Sequence, residues 1–410
     1  MDRSPTRMNR QPTRADTDPH RRRYLAVLAS GLAASAAGCL GGPLDSLDGD
    51  DGGDIDTLPD GVDIDLVRED LASPWAVTVL PDGQLLVTER DTGQLRRIDP
   101  DGDDESISGV PLVDSAGQGG LLDVVPHPNY PDEPWLYFTF AASVDGRTAT
   151  RLARGRLEPG STSLSAVETL YTAMAVDSSG HYGSRLVFGE DDRLYMTVGD
   201  RQSKAFGPDH FSQDTTNGLG ATLRFDPDGS VPEDNPFVGE AGHDPIYSYG
   251  HRNTQAMTVH PETGALWQAD HGERDGDAIF IVERGGNHGW PVAHYGCQYG
   301  TDDPVGDEPG ERDDVVDPVY HWPCGSGGFP PSGMAFYEGP IDDWQGDLFV
   351  GNLAGQYLGR FSVNGTAVDE RDPLLADRGW RVRDVAVANG DLYAVVDADP
   401  APLVRLTATT

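Results

Sequence analysis

The chain has 410 residues, enough for one large core or for two domains. Its formal net charge is −38 and Lys204 is its single lysine, so it is expected to repel nucleic-acid phosphates and anionic lipid headgroups rather than bind them. It holds 51 Gly and 31 Pro and has no long amphipathic pattern after residue 40, which points to many short strands joined by turns.

In chain order, residues 1–20 are polar. Next comes RRRYLAVLASGLAASAAGC, three arginines ahead of an apolar run of about 15 residues, too short to span a bilayer comfortably. The pattern predicts a twin-arginine export signal over 1–38, with Arg21-Arg22 as the pair, Tyr24-Leu25 behind it and a lipoprotein cleavage box ending at Cys39. Cys39 is then expected to carry lipid and to hold the exported protein on the outer face of the cytoplasmic membrane through that anchor alone. An ordinary N-terminal anchor helix is the alternative. Residues 39–61, rich in Gly and Asp, predict a flexible tether.

From residue 62 to 410 one pattern recurs: an alternating strand, a turn on Asp-Gly, Thr-Gly or an equivalent, and a second apolar strand. Six such hairpins stand at 73–90, 119–142, 183–200, 253–272, 332–353 and 382–399. One hairpin cannot bury its own sheet faces, but packing the units radially does so and leaves a central channel. The predicted fold is therefore all-β, a six-bladed β-propeller over 62–410, with each hairpin supplying the inner strands of a blade. Cys297 and Cys324 either bridge two loops, as exported chains allow, or remain two free thiols; no C-x-x-C spacing suggests a metal site.

Polar clusters sit just ahead of the first strand of several hairpins: Gln118 among Gly117–Gly120, His181 among Gly180–Arg185, Arg252-Asn253 after Gly250-His251, and Arg381 and Arg383 ahead of Asp384. In a propeller these points converge on the mouth of the channel, which predicts one site built from Gln118, His181, Arg252, Asn253, Arg381 and Arg383. Arginines there suit an anionic ligand, because a guanidinium matches a carboxylate two bonds at a time. Pairing of arginines with neighbouring Asp to tie blades together is the competing reading for Arg185 and Arg383. His181 is the candidate general base, since a neutral imidazole accepts a proton near pH 7. The absence of a G-x-S-x-G elbow disfavours nucleophilic hydrolysis. HGERDGD offers hard oxygens suited to Ca²⁺ without the spacing of an EF-hand.

The strings SPWAVTVLPDG, GQGGLLDV, YGSRLVF, DGSVPEDNPF, IYSYGHRN, GGNHGWP, PSGMAFY and RVRDV, in this order, resemble those of the soluble PQQ-dependent sugar dehydrogenases, the aldose and glucose dehydrogenases, over nearly all of 62–408. The resemblance implies a six-bladed propeller with PQQ, a tricarboxylate ortho-quinone, at its mouth. It implies oxidation of an aldose at C1 to the lactone, with His181 taking the hydroxyl proton, and Arg252 stabilising charge on the quinone. Gln118, Asn253, Arg381 and Arg383 match positions that contact PQQ, and the main-chain carbonyls of Gly272 and Glu273 match the turn that holds Ca²⁺. Ala354 stands where the family has a Lys, Glu273 where Pro is common, Gly180 where one branch has an acidic residue, and Ala278 and His288 where a further Ca²⁺ site has Glu and Tyr. No C-x-x-C-H haem motif is present, so an external electron acceptor is implied. Two alternatives are a non-catalytic propeller that binds a sugar or partner, and a Ca²⁺-dependent lactonase-type propeller. The acidic, lysine-poor composition also resembles that of haloarchaeal proteins, which points to a halophilic setting.

Overall fold

The computed structural model describes residues 58–409. The predicted export signal, Cys39 and most of the tether lie outside the described residues. The strand β1 (Val62–Leu71) is followed by β2 (Pro74–Val79), β3 (Leu85–Glu89), β4 (Gln94–Ile98) and β5 (Asp104–Ile107), which form blade one. Blade two holds β6 (Leu121–Pro126), β7 (Trp135–Val144), β8 (Arg147–Arg156) and β9 (Ser165–Thr172). Blade three holds β10 (Leu186–Phe188), β11 (Leu194–Val198), β12 (Ala221–Phe225) and β13 (Ile246–Tyr249). Blade four holds β14 (Thr254–Val259), β15 (Leu266–Asp270), β16 (Ala278–Ile281) and β17 (Tyr320–His321). Blade five holds β18 (Pro331–Phe336), β19 (Leu348–Asn352), β20 (Tyr357–Asn364) and β21 (Ala367–Glu370). Blade six holds β22 (Val382–Ala388), β23 (Asp391–Val396) and β24 (Ala401–Ala408), and β1 returns as its outermost strand.

All the ladders are antiparallel; in the closing pair Val62 lies opposite Ala408. No α-helix occurs among the described residues. The first strands of the blades pack side by side in a closed ring. The six predicted hairpins are the first two strands of each blade, so the predicted architecture is the observed one.

Burial explains why those hairpins were so apolar. LLVTE, LYMTV, LWQAD and LFVGN, the second strands of four blades, are buried along their whole length because a neighbouring sheet covers each face. By contrast the outer strand β9 is mostly exposed. The core is not one mass but a set of apolar clusters, each straddling two successive blades: Leu86 and Ile107 meet Phe138 and Phe140, Tyr137 meets Met196 and Phe225, and Trp267 meets Phe336 and Phe361.

Polar side chains lock the same joints near the channel. Thr88, Thr139 and Thr197, one on each of three second strands, accept the N–H of Ala76, Asp123 and Arg185 in their own blade. Each donates to a carbonyl of the next blade, Leu122, Ser184 and Thr254. His271 bonds to the carbonyl of Pro331, and Ser332 donates to that of Arg383. The sixth joint is closed by Asp384, whose carboxylate accepts the N–H of Val77. Arg185 lies between Asp384 at 3.0 Å and Asp123 at 3.5 Å, which ties three blades across the channel. This is the blade-tying role weighed for Arg185.

Candidate active site

Strand one of each blade begins, and strand two ends, on the same face. Loops entering first strands and loops leaving second strands therefore share the mouth of the channel. The entering loops bring Gln118, His181 and Arg252-Asn253. The leaving loops bring Asp200, Lys204, Gly272-Glu273 and Asp397.

His181 sits in the left-handed region at φ 48°, a conformation that costs a non-glycine residue about 1–3 kcal/mol and persists only when its surroundings fix it. They do: its N–H donates to Gln118 Oε1 at 2.7 Å, and its Nδ1 meets Asp200 Oδ1 at 2.7 Å. Asp200 is fully buried and accepts two more bonds, from the Gln202 N–H and from Trp290 Nε1. Its own N–H donates to the Arg252 carbonyl. Burial works against its ionised form, yet the bond to His181 and the nearby Arg252 charge hold its carboxyl below the usual range. An ionised Asp200 can only accept, so Nδ1 carries the proton and Nε2 is left as the basic nitrogen. Burial pushes the His181 pKa below its ordinary value; Asp200 partly offsets this, and Arg252 adds to it.

Arg252 is buried over the Trp290 ring, 5.2 Å from its centre. One guanidinium nitrogen donates to Glu273 Oε2 at 2.7 Å, while Nε is buried without a partner. The other Glu273 oxygen pairs with Lys204. Asp270 anchors the loop by accepting the N–H groups of Arg252 and Asn253 at 2.7 and 2.6 Å; burial pushes its carboxyl up to about 7, against those two bonds. The Asn253 side chain accepts the Gly183 N–H and so joins this loop to the His181 loop. Arg381 and Arg383 share Asp397, each at 2.9 Å, and Arg383 also donates to Gln255 and Ser332. The predicted single arginine cluster is therefore two groups, one on Glu273 and one on Asp397. Ala354 is exposed beside Leu353, whose carbonyl accepts from Arg381.

The Gly272-Glu273 turn is tight: a Cβ at Gly272 would fall 1.9 Å from the Asp275 carbonyl. Asp277 accepts the Gly272 N–H, and Arg274 pairs with Cys297 in both directions. Cys297 and Cys324 form a disulfide, with Cα atoms 5.5 Å apart, directly behind this turn. Among the described residues no hydrogen bond is made to the Gly272 or Glu273 carbonyl. Ala278 and His288 are buried, and His288 stacks on His251 at 4.3 Å.

The family described as Glucose / Sorbosone dehydrogenase matches residues 71–405. The chain belongs to that family. The dehydrogenase is 35% identical over 360 residues to aldose sugar dehydrogenase YliI of Escherichia coli, covering 85% of this chain and 94% of that one. Quinoprotein glucose dehydrogenase B of Acinetobacter calcoaceticus is 33% identical over 254 residues, 56% of this chain and 52% of its own. Among solved structures, the apo form of the soluble E. coli aldose sugar dehydrogenase is similar with a TM-score of 0.78 and 34% identity, over 85% of this chain and 100% of that one. The PQQ-bound aldose sugar dehydrogenase of Streptomyces coelicolor gives a TM-score of 0.71 at 28% identity, over 86% and 99%. The dehydrogenase is thus an oxidoreductase acting on a sugar CH–OH group.

Proposed function

We propose that the protein oxidises an aldose at C1 to the lactone with PQQ as its cofactor and Ca²⁺ in the Gly272-Glu273 turn, and passes the electrons to an external acceptor. The observation that carries this reading is the His181–Asp200 pair held beside Arg252 at the channel mouth. The residues present suit a polyanionic quinone: Arg252 keeps a buried, unpartnered Nε, and Lys204, Arg381 and Arg383 are the further cations at the same mouth. The two free turn carbonyls supply the hard oxygens that Ca²⁺ prefers. When bound, PQQ accepts the hydride from C1.

The protein does the rest. His181 Nε2 takes the proton of the C1 hydroxyl, and Asp200 stabilises the imidazolium that forms. Arg252 supplies positive charge where negative charge develops on the cofactor oxygen. Gln118 fixes the His181 backbone, Asn253 joins the His181 and Arg252 loops, and Trp290 supports the Arg252 guanidinium from below. Arg381 and Arg383 offer charge from blade six. The mature protein is exported and held at the outer membrane face through lipid on Cys39, in a high-salt setting.

Reconstitution tests the reading. The protein is stripped with chelator in high salt and given PQQ with and without Ca²⁺; aldoses and a dye acceptor follow. A quinone spectrum that requires Ca²⁺ and bleaches on sugar addition is expected. A folded protein that takes up no PQQ overturns it. Cys39→Ser is expected to release the protein from the membrane fraction; continued attachment would make the apolar run the anchor.

A further inference from the structure

Lys204 is the single lysine of the chain, and it stands at the channel mouth. Its ammonium pairs with Glu273 Oε1, and the other oxygen of that carboxylate holds Arg252 at 2.7 Å. Glu273 is buried, at 3% exposure, while the Lys204 side chain is 56% exposed. One buried carboxylate thus lies between two cations, and one of the two cations is free to swing. Phe206 and Tyr299 flank the ammonium, with ring centres 5.9 and 5.3 Å away. Arg252 still has a buried Nε without a partner, so Glu273 satisfies the guanidinium only in part.

We propose that Glu273 holds a carboxylate seat between Arg252 and Lys204 in the ligand-free protein, and that a carboxylate-bearing ligand takes this seat with Lys204 as a binding cation. The inference rests on the cofactor reading above, since PQQ is the carboxylate-bearing ligand in question. Charge explains why an exchange is favoured over simple addition. Arg252 also faces the Asp200 and Asp277 carboxyls, so the exposed Lys204 ammonium is the cation most open to an incoming anion. Adding an anion beside Glu273 sets two carboxylates against each other, and like charges so close are mutually unfavourable. Glu273 therefore yields Arg252 as the ligand arrives, while its main-chain carbonyl stays in the turn.

The test is a titration of PQQ into the chelator-stripped, Ca²⁺-reloaded protein, read from cofactor absorbance as a Kd, for wild type, Lys204→Ala, Lys204→Arg and Glu273→Gln. Lys204→Ala is expected to weaken binding about tenfold or more, and Lys204→Arg to retain most of the affinity. Glu273→Gln removes the resident competitor; it is expected to tighten PQQ binding several-fold while lowering the melting temperature of the ligand-free protein. Lys204 is exposed, so its variants fold, and thermal melts verify this. A Kd for Lys204→Ala within twofold of wild type overturns the proposal, as does weakened binding by Glu273→Gln. If folded wild type binds no PQQ, the cofactor reading itself falls and takes this one with it, an outcome distinct from wild-type binding that the variants leave unchanged.

Discussion

At the scale of single residues, the site depends on one buried carboxylate. Asp200 fixes the tautomer of His181, holds Trp290 beneath Arg252 and, through its N–H, binds the Arg252 loop. Asp200→Asn keeps the shape but can present an amide donor to Nδ1, which favours the wrong tautomer; kcat is expected to fall about 10²-fold or more in steady-state assays with PQQ saturating. The pH profile gives an independent check. The proposed mechanism needs neutral His181, and burial holds its pKa below the ordinary value. Activity is therefore retained as pH falls through about 6.5 and lost only at more acid pH. Asp200 raises that pKa, so Asp200→Asn is expected to move the acid limb further down. A limb at or above 6.5 in wild type would contradict this. The position of His181, Gln118 and Arg252 at the channel mouth was legible because each sits in a Gly-marked loop ahead of a hairpin. That of Asp200 was not: it is one of 68 acidic residues, with nothing local to set it apart. Lys204 did carry a signal, its solitude, but solitude says nothing about place.

At the scale of elements, the joints between blades were less legible than the blades. Hairpin periodicity reveals the first two strands because both are covered by neighbouring sheets. Outer strands such as β9 face solvent, and their pattern weakens accordingly. The threonine locks are invisible for another reason: Thr139 reads as an ordinary strand residue, and its partners are Asp123 at 16 residues and Ser184 at 45 residues in sequence. Thr139→Val preserves its volume and leaves a buried N–H and a buried carbonyl unpaired. Its expected cost is about 2–5 kcal/mol in denaturant unfolding. A loss under about 0.5 kcal/mol would mean that these bonds do not hold the blades together. The disulfide is a second device of this kind. Cys297 pairs through its backbone with Arg274, next to the proposed Ca²⁺ turn. The double variant Cys297→Ser/Cys324→Ser is expected to lower both the melting temperature and the Ca²⁺ affinity measured by PQQ reconstitution. Lower stability with unchanged Ca²⁺ affinity would restrict the bridge to a structural staple.

At the scale of the molecule, the predicted number of blades and their order along the chain match the structure, while the way the ring closes was not legible. β1 starts at the predicted domain boundary, yet its partner β24 lies at the far end of the chain, and no local pattern announces a pairing across that distance. Removing residues 62–71 uncovers one edge of β24 and the apolar faces of Leu403 and Leu406, both fully buried here. Such a variant is expected to aggregate or to elute as mixed species in size-exclusion chromatography; a stable monomer with wild-type melting would show the closing strand to be dispensable. The pairing of Val62 with Ala408 also sets a clock. A nascent chain on the ribosome has its first strand long before it has the partner for it, so the ring closes only once β24 has been made. Until then β1 is a waiting edge. On the export reading proposed above, the machinery that moves the chain out of the cell must either wait for that closure or act before it.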